Sequence, residues 1–344
     1  MTKNDMIDNF RKTFLKERCF KNIIGQDSTK RQIKSALIMG HHLIIIGPPG
    51  VGKTTMAKNV SDILPEIEVN DCPYNCIPDE PLCPMCISKS TKSKKKISGK
   101  DRFVRIQGSP DLTVEDIIGD IDPIKALKFG PSSIESFTPG KIFKANNGIL
   151  FFDEVNRCPE KLQNALLQVL EEGHATLGSF DIELPANFIF IGTMNPEDSS
   201  TEKLSDVFLD RFDVIFMGYP ESSEIEEEII KTKGKKLDVT FPEKILRFMV
   251  EFIRSLRMSD KLEKYPSVRS SLFLYERTQS NSFLNGKKEV DMNDLHEAII
   301  SVLSHRIRLK PSFKYLKTPL EFVEEEFKDF SEDDHFSIEK GGGP

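Results

Sequence analysis

The octapeptide Gly47-Pro48-Pro49-Gly50-Val51-Gly52-Lys53-Thr54 constrains this chain more than any other stretch. It follows a compact apolar run, Leu43-Ile44-Ile45-Ile46, short enough for a buried strand. After it no Gly or Pro occurs until Pro65, so a helix is expected from about Thr54. Strand, glycine-rich turn and helix in that order fit G-x-x-x-x-G-K-[ST] in full. The glycines let backbone N–H groups curl around a phosphate, and the helix N-terminus adds the positive end of its dipole. In that arrangement Lys53 reaches the β- and γ-phosphates of ATP, the Thr54 hydroxyl ligates Mg²⁺, and Thr55 completes the binding turn.

Further apolar runs repeat the strand signal. Phe103-Val104-Arg105-Ile106, Gly148-Ile149-Leu150-Phe151-Phe152 and the stretches 187–194 and 214–217 read as strands. Between two of them, Leu162, Ala165, Leu166, Val169 and Leu170 keep helical spacing until Gly173. Strands separated by helices predict an α/β fold with a parallel, doubly wound sheet. Residues 174–184, turning at Gly178-Ser179, read as a hairpin. Beyond Pro220 the strands vanish, and segments near 221–233, 242–259, 267–284 and 291–309 read as helices. The expected organisation is a P-loop domain over 1–220, a small helical domain over 221–320 and an acidic, disordered tail over 321–344.

Two carboxylates, Asp153 and Glu154, close the strand that ends at Phe152. Beside a P-loop such a pair divides the labour: Asp153 holds Mg²⁺ and Glu154 polarises the water that attacks the γ-phosphate. Asn195, in Gly192-Thr193-Met194-Asn195-Pro196, ends the next strand and is placed to position that water. Arg211, in Leu209-Asp210-Arg211-Phe212-Asp213, and Arg269, in Tyr265-Pro266-Ser267-Val268-Arg269, read in isolation as surface ion-pair partners.

Charge narrows the partner classes. The net charge of −6 hides an acidic tail: from Glu321 onward nine acidic residues face two basic ones, which leaves the remaining 320 residues at +1. A near-neutral body is unlike an obligate nucleic-acid binder. No apolar run approaches the roughly 20 residues a membrane helix needs, and no apolar signal region follows the polar residues Met1 to Asp5, so a cytoplasmic protein is expected.

Four of the six cysteines crowd together as Cys72, Cys76, Cys83 and Cys86. In a chain without a secretory signal this pattern favours a metal over disulfides. Zn²⁺ is the first reading, with an iron–sulfur cluster or unligated thiols as alternatives. The same segment, 70–100, carries Lys89, Lys92, Lys94, Lys95, Lys96 and Lys100, and reads as an inserted loop. Those lysines are either a solvated face or a docking patch for an anionic partner.

Taken in order, residues 47–54, Phe151-Phe152-Asp153-Glu154-Val155-Asn156-Arg157, 192–196, 209–213 and 266–269 resemble an AAA+ ATPase. Within that group the chain is similar to the MoxR and magnesium-chelatase subunit I branch. The likeness is strongest at Gln107-Gly108-Ser109-Pro110-Asp111-Leu112-Thr113, Gly119-Asp120-Ile121-Asp122-Pro123 and Pro185-Ala186-Asn187-Phe188, and it covers about residues 20 to 320. The resemblance implies an AAA+ P-loop domain with a five-stranded parallel sheet and helical inserts, followed by a helical lid. It also implies a homo-oligomeric ring with active sites between subunits, Arg211 as an arginine finger toward the neighbour, and Arg269 as the lid-domain sensor. Residues 117–141 become an insert in the second helix and 174–184 the pre-sensor hairpin. The partner implied carries a von Willebrand factor A domain, and the work is metal insertion into a tetrapyrrole or remodelling of a protein complex. The segment 70–100 departs from the chelatase pattern.

Two other readings compete. One is a nucleic-acid translocase of the same clade, opposed by the lack of Lys or Arg in 174–184. The other is a nucleotide-dependent scaffold without turnover, opposed by Glu154 and Asn195.

Overall fold

Five strands, β1 (His42–Ile46), β2 (Phe103–Gln107), β3 (Gly148–Asp153), β4 (Phe188–Met194) and β5 (Phe212–Phe216), form one parallel sheet in the order β5-β1-β4-β3-β2. The computed structural model describes residues 3–16, 19–81, 83–88, 93–131, 133–176, 183–196 and 204–332. Every residue of β1 is buried, as are all but the last of β3 and of β4. That is why these strands read as unbroken apolar runs: a parallel sheet is covered on both faces. The helices Asp27–Met39, Lys53–Ile63 and Glu160–Glu172 flank it, each burying one apolar stripe such as Leu162, Leu166 and Val169.

The chain divides into two compact units, Met1–Gly47 with Gly52–Met217, and Pro48–Val51 with the part from Gly218 onward. Within the first unit, the 70–100 segment differs from the expected loop. Ile67–Asn70 pairs antiparallel with Lys94–Ile97, in the register Ile67↔Ile97 and Asn70↔Lys94. Across and beside this hairpin Lys94 pairs with Glu68 (2.8 Å), Lys95 with Asp71 (2.9 Å), Lys96 with Glu66 (3.6 Å) and Lys100 with Asp62 (3.8 Å). The lysine run is therefore matched to local carboxylates, which weakens the docking-patch reading; Lys89 and Lys92 lie outside the described residues. Behind the hairpin Arg102 is fully buried, its guanidinium donating to the carbonyls of Asn147, Pro65 and Ser98. Burial pulls its pKa down to about 10, which keeps it charged at neutral pH.

The expected insert over 117–141 is a second small hairpin. Gly119–Ile121 pairs with Phe137–Pro139, and the helix Pro123–Phe129 rides between them, capped by Asp122, which accepts from the amides of Ile124 and Lys125. His174–Thr176 pairs with Glu183–Pro185, so the expected 174–184 hairpin is present, while its tip lies outside the described residues.

The second unit packs the helices Ser223–Lys233, Glu243–Met258, Val268–Leu284, Met292–Leu303 and Pro319–Glu332 around Phe248, Phe252, Leu295, Ile299 and Phe327. Two expectations are corrected here. Strands do not vanish beyond Pro220, because Leu262–Lys264 pairs with Arg308–Leu309. Nor does disorder begin at Glu321. Thr318 and Glu321 form a reciprocal cap, and Phe322, Val323 and Phe327 are buried, with Phe327 edge-on to Phe248 and Phe252. The acidic residues of this helix occupy its outer face, so net charge hid an amphipathic period; residues 333–344 lie outside the described residues.

Glu226 is the buried charge that joins three helices of this unit. It accepts two bonds from Arg257 (2.7 and 2.8 Å) and one from the Ser271 hydroxyl (2.6 Å), and it is fully buried. Substituting Glu226→Gln leaves Arg257 facing a neutral amide, so thermal unfolding followed by circular dichroism is expected to show a loss of about 2 kcal/mol. An unchanged melting temperature would contradict this reading.

Candidate active site

The C-terminal edge of the sheet gathers the P-loop, Asp153, Glu154 and Asn195. Ile46, the last residue before the P-loop, is in register with Met194 and with Phe216. Phe152 faces Gly192, and Asp153 faces Gln107. The P-loop, the carboxylate pair, Asn195 and the start of 107–113 therefore emerge side by side, where open α/β sheets bind ligands. The loop leaves the sheet tightly held: Gly47 N–H donates to the Met194 carbonyl (3.2 Å), and a Cβ at Gly47 would lie 2.1 Å from the Met217 carbonyl oxygen.

The loop itself fits a phosphate. Gly50 (φ +78°) and Gly52 (φ +106°) adopt left-handed backbone that a side chain would strain. The helix Lys53–Ile63 begins without a side-chain cap and without an acidic residue in its first turn, which leaves its leading amides available to an anion. Lys53 Nζ donates to the Gly47 carbonyl at 2.6 Å, folded along the loop it would serve.

Asp153 and Glu154 are organised by a residue that sequence reading left without a role. The Thr193 hydroxyl, fully buried in β4, donates to Asp153 Oδ1 (2.6 Å) and accepts from the Glu154 amide (3.0 Å). Glu154 has φ 57° and ψ 53°, a left-handed conformation that costs about 1–2 kcal/mol for a non-glycine residue. Thr193 holds it there. The carboxylates meet further partners: Arg105 on Asp153 Oδ2 (2.6 Å), with Gln107 (3.1 Å) and Arg157 (3.2 Å) on Glu154 Oε2. Gly108 lies so close that a Cβ there would sit 2.0 Å from the Glu154 carbonyl oxygen. Such an arrangement can fix one carboxylate toward a divalent cation and aim the other at a water.

Arg211 lies on the same unit as the sheet, after the short helix Asp206–Leu209. Its guanidinium pairs with Glu171 at the end of the helix Glu160–Glu172 and donates to the Val207 carbonyl (2.9 Å). Arg269 is exposed in the first turn of Val268–Leu284. Within the second unit, which includes Pro48–Val51, a Cβ at Gly50 would lie 3.1 Å from the Arg269 Cβ.

Comparison with known proteins gives this geometry a family. The ATPase family associated with various cellular activities (AAA) matches residues 86–214, the magnesium chelatase subunit ChlI family matches 19–74, and the AAA lid domain matches 264–326. The magnesium-chelatase subunit ChlI homolog of Methanocaldococcus jannaschii is 29% identical over 330 residues, covering 85% of this chain and 86% of the relative. The magnesium-chelatase subunit ChlI of Synechocystis is 27% identical over 331 residues, covering 85% and 88%. In their order along the chain these matches are similar to an AAA+ ATPase of the magnesium-chelatase subunit I type. Among solved structures, a mutant of Thermotoga maritima RuvB superposes with a TM-score of 0.50 at 15% identity, covering 82% of this chain and 72% of the other, a likeness of fold alone.

Of the residues expected at the nucleotide site, the sheet edge brings together the P-loop, Asp153, Glu154 and Asn195. Thr193, Gln107, Arg105 and Arg157 join them. Thr193 and Gln107 stand inside motifs noted in sequence, but only strand pairing reveals their contacts.

The four cysteines lie apart from that pair of carboxylates in the chain and form a site of their own. Their sulfur atoms all fall within 4.8 Å of one another, and all four residues are buried. Hydrogen bonding from Cys76 pulls the Cys72 thiol down to about 5, while burial pushes Cys83 up to about 11. Cys158 is buried within the core and Cys19 is half-buried.

Proposed function

We propose that this AAA+ ATPase hydrolyses ATP with Mg²⁺ in a ring of like subunits and uses the turnover to drive a protein partner. The observation that carries the reading is the Thr193 bridge, which ties Asp153 and the left-handed Glu154 into one rigid unit in register with the P-loop strand. Residues 47–55 cradle the phosphates, with Lys53 neutralising the outer ones and Thr54 and Asp153 holding Mg²⁺. Mg²⁺ supplies charge neutralisation between the phosphates when bound. Glu154 takes the proton of the attacking water, and Asn195 orients that water. Arg211 acts on the neighbouring subunit's nucleotide and Arg269 senses the nucleotide from the lid.

The finer part of the reading concerns the work done. The relatives are named as subunits of a magnesium chelatase, which supports metal insertion as the work done. A tetrapyrrole substrate, a partner bearing a von Willebrand factor A domain and a cytoplasmic location enter the proposal from the family resemblance alone. Ile124 and Leu127 on the insert helix Pro123–Phe129 are 80% and 91% exposed, an apolar surface suited to a protein rather than to a phosphate backbone. No helix among the described residues is long and apolar enough to cross a membrane.

The test is phosphate release from ATP by the purified chain. Release is expected with Mg²⁺, and Lys53→Ala is expected to weaken ATP binding about tenfold or more and abolish release, since the lysine contacts the outer phosphates. Absence of release at saturating ATP, with binding intact, would replace this reading by that of a nucleotide-dependent scaffold.

A further inference from the structure

We propose that Cys72, Cys76, Cys83 and Cys86 hold one Zn²⁺ in a closed site that clamps the 67–97 hairpin onto the core of the first unit. The proposal goes beyond the ATPase reading and does not depend on it. It rests first on convergence. Two pairs of cysteines separated in sequence bring four sulfur atoms within 4.8 Å of one another. A tetrahedral ion with bonds of about 2.3 Å needs its sulfurs about 3.8 Å apart, so one small ion fits with little adjustment. An iron–sulfur cubane spreads its four thiolates farther, because irons and sulfides lie between them.

The local backbone is built for thiolates. Asn75, with φ 48°, turns the chain so that the Cys76 amide points at Cys72 Sγ (3.4 Å), and the Cys83 amide points at Cys76 Sγ (3.4 Å). Amide donors of this kind offset the negative charge of metal-bound sulfur and orient it. In the second pair Cys83 immediately precedes the short helix Pro84–Ile87 and Cys86 lies on it, the Cys86 amide bonding back to the Cys83 carbonyl (3.0 Å).

Donor chemistry decides the metal and its role. Thiolates select soft or borderline ions, whereas Mg²⁺ requires oxygen ligands and retains water. The cluster is therefore no station for the Mg²⁺ of the nucleotide site. With four protein ligands, all buried, no coordination position is left for a substrate, which is the arrangement of a structural ion.

Placement shows what the ion holds. The cysteines belong to the same buried cluster as Ile106, Phe137, Ile142 and Phe143. Tyr74, between the first two ligands, packs on Phe143 with ring centroids 5.5 Å apart, and Asn75 Nδ2 donates to the Lys144 carbonyl (3.3 Å). The segment so gripped leads directly into β3 and its carboxylates. Loss of the ion is thus expected to loosen the core of the first unit, not an isolated loop.

Protein purified under reducing conditions without chelator is expected to contain about one zinc per chain by elemental analysis. Modification of its thiols with an organomercurial should release that zinc into a colorimetric indicator, and Co²⁺ exchange should produce an intense sulfur-to-cobalt absorption with tetrahedral bands. Cys83→Ser should reduce the zinc content at least fivefold. Should that variant fail to fold, the wild-type chain stripped by chelator still reports: its melting transition is expected to fall, and to recover on adding Zn²⁺ alone. Zinc far below one per chain with all four thiols alkylated in the native state would overturn the proposal. So would iron with inorganic sulfide, or an intact mass showing two disulfides.

Discussion

Glu154→Gln is expected to bind ATP as tightly as the wild-type chain and to hydrolyse it at least ~100-fold more slowly. The amide keeps the size of the side chain and can still accept from Gln107 and Arg157, which lie 3.1 and 3.2 Å from the Glu154 carboxylate. What it loses is basicity at the moment water is deprotonated. The backbone is not implicated, because the left-handed conformation is fixed through the amide nitrogen by Thr193 and not through the side chain. Single-turnover phosphate release beside a nucleotide-affinity measurement separates the two effects. Turnover within a few-fold of wild type would remove Glu154 from the chemistry.

Arg211→Ala is expected to leave ATP affinity unchanged and to lower turnover by about 10³-fold or more, the range for loss of an arginine finger. Its guanidinium is held by Glu171, a partly exposed pair worth at most about 1 kcal/mol. The melting temperature should therefore move little while hydrolysis collapses. If instead stability fell and turnover stayed, Arg211 would be a surface ion-pair residue and no more.

Much of the fold was legible because its signals are local. The P-loop announces itself by glycines that must adopt positive φ, at Gly50 and Gly52, and by the apolar strand before it. Asp153, Glu154 and Asn195 stand at strand ends, and strand ends can be read from hydrophobic runs. The contacts that organise them cannot. Thr193 reaches Asp153 only because β4 and β3 pair with Gly192 opposite Phe152, a register set by residues about 40 apart in the chain. Gln107 reaches Glu154 by the same kind of pairing between β2 and β3.

The inserted segment shows the other limit. Its cysteine spacing suggested a metal, but the spacing says nothing about where the sulfurs point. Closure of the hairpin by Ile67–Asn70 against Lys94–Ile97 brings the lysine strand opposite acidic residues and turns the cysteines inward. The charge run is a solvated face whose lysines pair with carboxylates across and beside the hairpin. At the other end of the chain, counting acidic residues concealed Phe322, Val323 and Phe327, which anchor a helix. Period, not charge, was the informative quantity there.

The central claim is that each active site is shared between a P-loop and a neighbour's Arg211, and mixing two inactive variants tests it most directly. Lys53→Ala has no working P-loop but offers an intact Arg211; Arg211→Ala has an intact P-loop and no arginine to offer. Mixed under conditions where subunit exchange is shown by labelled chains, some interfaces combine both intact halves. The account predicts that Mg²⁺-dependent phosphate release, absent from either variant alone, reappears in the mixture. A mixture that exchanges subunits and stays inactive would contradict it.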